Sequence, residues 1–160
     1  MSTNWRFLWV HVTVVLALLL PVTTLPAAVN LFRPDWPLFV LTYWVLALPH
    51  RISIGTAFVF GFLVDVMVGT ILGVNALGYS VVAFIVAANY AKIRNFSILQ
   101  QSLLIGLIFA FYHLLIFWLS HFLTGVSFRM AYLWPVLTSM ALWPYIFLFL
   151  RRFRRKLKIQ

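Results

Sequence analysis

Residues 55–78 read GTAFVFGFLVDVMVGTILGVNALG, and they place Asp65, one of only two acids in the chain, inside an otherwise uncharged apolar run. At helical spacing Ala57, Gly61, Asp65, Gly69 and Gly73 recur every four residues. Each such step drifts only about 40° around a helix, so the acid lies on a stripe of small residues. In lipid a stripe of this kind lets a second helix approach closely, and an ionisable side chain within a span faces the protein interior. The stretch therefore predicts a membrane-spanning helix that turns through Gly73-Val74-Asn75 into a second one, forming a hairpin.

The rest of the composition agrees. Hydrophobic side chains make up 64% of the 160 residues, and the mean hydropathy is +1.04. A single water-facing domain does not carry so much apolar surface, whereas a span takes roughly 20 apolar residues. The chain holds six such spans with almost no loop to spare, and no room for a separate soluble domain. The absence of cysteine excludes disulfides, Cys-ligated metals and thiol catalysis.

The expected spans are about 7–26, 36–49, 53–72, 76–91, 98–123 and 131–150, followed by a basic tail over 151–160. The first run, Phe7 to Phe32, has no charged residue; it resembles a signal peptide in its basic start but exceeds the usual length of one. In NLFRPDWP, Pro34 and Pro37 break any continuing helix, and Asp35 is placed to cap a new one. The second span is short, which predicts little tilt, local thinning of the bilayer, or continuation past Pro49 with a kink. Pro144 falls inside the last span and predicts a kink there.

Charge tests the count. Cytoplasmic loops of membrane proteins collect Lys and Arg. With six spans and both termini inside, Arg6, Arg51, Lys92, Arg94 and the tail residues Arg151, Arg152, Arg154, Arg155, Lys156 and Lys158 are cytoplasmic, leaving only Arg33 and Arg129 outside. One wrongly placed span would scramble that asymmetry. The net charge of +10 thus reads as topology, and nucleic acid is not needed to explain it. The tail suits an anionic phospholipid leaflet, where each basic residue contributes roughly 1 kcal/mol, or a cytoplasmic protein.

Asp65 is the residue that most needs a partner, because an acid at a helix centre costs roughly 2.5–3.5 kcal/mol. His113 is the candidate within the chain. It shares a small or polar face with Ser102, Gly106 and Ala110 and lies at a depth similar to that of Asp65. A partner protein, or a backbone donor with water, is the alternative. No further acids continue a proton path, so a structural role outweighs a relay. No Gly-x-Ser-x-Gly elbow or metal-ligand spacing appears, and neither a catalytic residue nor a cofactor is expected. Arg33 and Asp35 offer an exposed ion pair of small worth or contacts to an outer partner.

The strings FRPDW, YWVLALPHR, the segment Gly61 to Gly73 with Asp65, VSFR and LWPYIFLFLRR, in this order, resemble the rod shape-determining protein MreD family across nearly the whole chain. The resemblance implies an all-α inner-membrane bundle similar to the substrate-binding subunits of energy-coupling-factor vitamin transporters. It also implies a non-catalytic scaffold of the cell-elongation machinery that binds MreC and works with MreB, RodA and penicillin-binding protein 2. On that pattern Arg33, Asp35, Asp65, Gly69 and Gly73 are site positions, with Gly61 and His113 as packing partners from the residue reading. A small-molecule or lipid-binding transport subunit is the alternative function. Self-association stays open.

Overall fold

The computed structural model describes residues 3–20, 32–125 and 133–156, with side chains from Trp9 onward in the first stretch. Among the described residues every regular element is a helix: α1 (Thr3–Leu19), α2 (Trp36–Ala47), α3 (Ile54–Val68), α4 (Val74–Ala88), α5 (Tyr90–Asn95), α6 (Ile98–Thr124) and α7 (Trp134–Lys156). Pro21, Pro26, Val126–Arg129, Leu157 and Lys158 lie outside the described residues. By length and composition α6 and α7 are long and apolar enough to cross a membrane, while Trp9–Leu19, α2, α3 and α4 are shorter apolar helices.

The short helix is the middle of the bundle. α2 packs against α1, α3, α4, α5 and α7, and Leu38, Phe39, Leu41, Tyr43, Trp44 and Leu46 are buried on all its sides. At 12 residues it is about 18 Å long. Because it is enclosed by its neighbours on all sides, its length need not match the hydrocarbon. Of the three readings of its shortness, continuation past Pro49 does not occur: the helix stops at Ala47, with Leu48 as its C-cap. Pro49 favours that stop because it disfavours the helical conformation at the residue before it. Trp44 Nε1 donates to Thr13 Oγ1 at 2.9 Å, tying α2 to α1.

Around this core the helices pair in sequence, α3 with α4 and α6 with α7, and α4 also packs on α6. Ser97 and Gln100 form a capping box that starts α6. Ser102 Oγ donates to the Met140 carbonyl, and a Cβ on Gly106 would lie 3.0 Å from Met140 Sδ. The small face of α6 therefore receives α7, not α3. α7 runs through Pro144 and continues into the tail as far as Lys156, so the first six tail residues belong to the helix. Phe58, Val59, Phe62, Leu63, Val66 and Met67 of α3, and Leu99, Leu103, Leu107, Phe111, Trp118 and Phe122 of α6, are exposed. Contiguous apolar surface of that extent calls for lipid or protein to cover it.

Candidate functional site

Asp65 is fully buried in the last turn of α3, and its partners lie in the turn that follows it. Oδ1 accepts from Thr70 Oγ1 at 2.7 Å, Asn75 Nδ2 at 2.8 Å and the Asn75 N–H at 3.2 Å. Oδ2 accepts from the N–H groups of Gly73 at 2.9 Å and Ala76 at 3.3 Å. The free N–H groups at the start of a helix and the positive end of its dipole favour an anion, and the carboxylate of α3 fills that position for α4. Its backbone carbonyl meanwhile accepts from the N–H groups of Gly69 and Thr70, closing the end of α3. One residue thus secures both ends of the hairpin turn.

The glycines divide into two kinds. A Cβ on Gly61 would lie 2.6 Å from Ala76 Cα and 2.7 Å from the Asn75 carbonyl oxygen, so α3 and α4 touch backbone to backbone one turn before Asp65. Gly69 and Gly73 are not on the packing stripe. The helix ends at Val68, and both glycines adopt left-handed backbone, with φ of 73° and 96° and open space where a Cβ would stand. They let the chain reverse tightly enough for Asn75 and Ala76 to reach Asp65.

The candidate contact between Asp65 and His113 does not form, and the alternative of backbone donors is the one found. Five local donors occupy the carboxylate, and His113 Nε2 instead lies 3.4 Å from Asp35 Oδ2, without the alignment of a hydrogen bond. Asp35 stands at the N-cap position of α2, yet its side chain makes no capping bond. Pro37 occupies the second position of that helix and supplies no N–H, which removes one of the two donors a capping carboxylate uses. Desolvation raises the Asp35 carboxyl above its ordinary value, and the charges of His113 and then Arg33 pull it back.

These groups meet across one cavity of about 370 Å³, lined by Arg33, Asp35, Thr70, Asn75, Tyr112 and His113 among others. Tyr112 Oη donates to Asn75 Oδ1 at 2.6 Å, so a continuous chain of hydrogen bonds runs from α6 through Asn75 to Asp65. Asn75, Thr70 and Tyr112 were not singled out by sequence reasoning. The usable signal was their nearness to the acid in sequence: Thr70 and Asn75 lie within ten residues of Asp65, and Asx and Thr side chains commonly serve turns. Among the described residues no cluster of His, Cys, Asp and Glu is suited to a metal.

The opposite end is basic. Arg94, Arg151 and Arg154 border a second cavity, of about 220 Å³, and Arg154 Nη1 donates to the Ala47 carbonyl at 3.4 Å. Arg152, Arg155 and Lys156 are exposed on the end of α7. Lys158 lies outside the described residues.

A family model described as rod shape-determining protein MreD matches residues 1–153. The chain belongs to the MreD family. The rod shape-determining protein MreD of Haemophilus influenzae is 37% identical over 161 residues, with 99% of each chain covered. No solved structure matches. Membership makes this MreD-family chain a non-catalytic membrane protein of cell-shape determination.

Proposed function

We propose that the chain is a six-span inner-membrane scaffold of the bacterial elongation complex, with both termini in the cytoplasm. In this reading its outer and intramembrane faces hold MreC. Its basic inner end lies against anionic lipid and MreB filaments, which links those filaments to RodA and penicillin-binding protein 2. The observation that carries the reading is polarity along the bundle axis. Both acids and His113 gather at one end, whereas Arg94, Arg151 and Arg154 gather at the other. That division is what the positive-inside rule produces in a bundle with fixed orientation. The exposed apolar faces of α3 and α6 between the two ends supply the surface for lipid and for a single-span partner.

Copurification in mild detergent tests it. A tagged chain is expected to retain MreC. Retention of a vitamin or an ATPase module in its place would support the transport alternative and overturn the scaffold.

A further inference from the structure

We propose that the cavity bordered by Arg94, Arg151 and Arg154 is a discrete binding site for one anionic phospholipid whose headgroup carries a hydroxyl. The proposal rests on the reading that places this end at the inner leaflet, and it narrows a diffuse basic surface to a single pocket.

Three observations meet there. First, Arg94 at the end of α5 and Arg151 and Arg154 on α7 line one small cavity, and no acidic side chain in the chain can neutralise them. The only two acids, Asp35 and Asp65, sit at the opposite end: Asp35 precedes the start of α2, whose final turn (Leu46, Ala47) forms a wall of this cavity. Guanidinium groups converging without an acid match a phosphate, whose oxygens accept their forked N–H donors.

Second, Gln101 also lines the cavity and is only 3% exposed. Its Nε2 donates to the carbonyls of Ile93 and Phe96 at 3.0 and 3.3 Å, which fixes the orientation of the amide. Its Oε1 then has no hydrogen-bond partner among the described residues. None of the three guanidinium groups that line the same cavity donates to this buried acceptor, so a donor from a ligand would satisfy it, and a bare phosphate diester has none. A headgroup hydroxyl, as in phosphatidylglycerol, supplies it.

Third, Phe96 borders both this cavity and an apolar groove of about 660 Å³ along α4, α5 and α6, which Ile85, Leu104, Leu107 and Phe111 line and Lys92 flanks. A polar cavity next to an apolar groove suits an amphiphile with its phosphate in the first and an acyl chain in the second. A soluble phosphate or an acidic peptide uses only the first.

Native mass spectrometry of the full chain released from detergent reads the site directly. Retained adducts are compared for phosphatidylglycerol, for phosphatidylmethanol, which has the same charge and no hydroxyl, for zwitterionic phosphatidylcholine, and for inorganic phosphate. Phosphatidylglycerol is expected to be retained at least about tenfold over phosphatidylcholine and severalfold over phosphatidylmethanol. Replacing Arg94, Arg151 and Arg154 by Gln is expected to remove that retention. Replacing Arg152, Arg155 and Lys156, which do not line the cavity, by Gln removes the same charge and is expected to change it less than about threefold. Equal losses in the two triple variants, equal retention of phosphatidylglycerol and phosphatidylmethanol, or preferential retention of inorganic phosphate would each overturn the proposal. So would displacement of phosphatidylglycerol by an acidic peptide. The measurement in detergent is independent of membrane sidedness, so it can stand if the scaffold reading fails and fail if that reading holds.

Discussion

At the scale of the residue, Asp65 is explained by where its donors come from. An acid in the last turn of α3 would ordinarily face the negative end of that helix's dipole, yet here it lies on the positive end of α4 and accepts three N–H groups together with the donors of Thr70 and Asn75. Hydrogen bonds to a charged group are worth about 1.5–3 kcal/mol each. Asp65→Asn keeps the shape but turns an amide NH2 toward backbone N–H donors. It is expected to lower the detergent melting temperature by the equivalent of about 3 kcal/mol or more, while Thr70→Val costs about 1 kcal/mol. An unshifted melting curve for Asp65→Asn would mean that the carboxylate has a task other than holding the turn. The need for a partner was legible in the sequence because an acid in an apolar run is costly. Its identity was legible only in part: backbone donors stood as an alternative to His113, but which ones was not readable, because backbone N–H groups carry no mark in sequence. Asp35 shows the same limit: its position at the start of α2 was readable, but its turn toward His113 follows from three-dimensional placement.

At the scale of the element, the α3–α4 hairpin couples close packing to capping. Gly61 meets the backbone of Asn75 and Ala76, and those two residues also donate to Asp65. Pushing the helices apart at Gly61 therefore lengthens the bonds one turn away. Gly61→Ala, which would place a methyl 2.6 Å from Ala76 Cα, is expected to cost about 1–3 kcal/mol. Its effect should be non-additive with Asp65→Asn in a double-mutant cycle read by thermal melting. Additive losses would mean that the two contacts are independent. Gly73→Ala has room for its methyl but forces left-handed backbone on an L-residue, at about 1–2 kcal/mol, and Gly73→Asn is expected to cost less. The four-residue spacing made Gly61 readable as a contact position. It misread Gly69 and Gly73, because periodicity continues on paper past the residue where the helix stops. The shortness of α2 was visible too, but its central place depends on all its neighbours and has no local signature.

At the scale of the whole molecule, the proposed orientation rests on the distribution of charge, and on few groups. One end carries both acids, and the other gathers Arg94, Arg151 and Arg154 with Lys92 close by; the proposed scaffold places the first outside and the second in the cytoplasm. In an energised membrane the Lys and Arg bias sets which end stays in the cytoplasm. The chain has no cysteine, so single cysteines report their own positions without background. Leu72, 61% exposed in the turn after α3, and Lys92, exposed on α5, lie beyond opposite ends of the α3–α4 hairpin. Leu72→Cys is expected to react with a membrane-impermeant maleimide in intact spheroplasts, and Lys92→Cys only after permeabilisation. The reverse pattern would invert the bundle and place the basic cavity at the outer leaflet. Labelling of both from outside would mean that the hairpin does not span, and the six-span scaffold would fall with it.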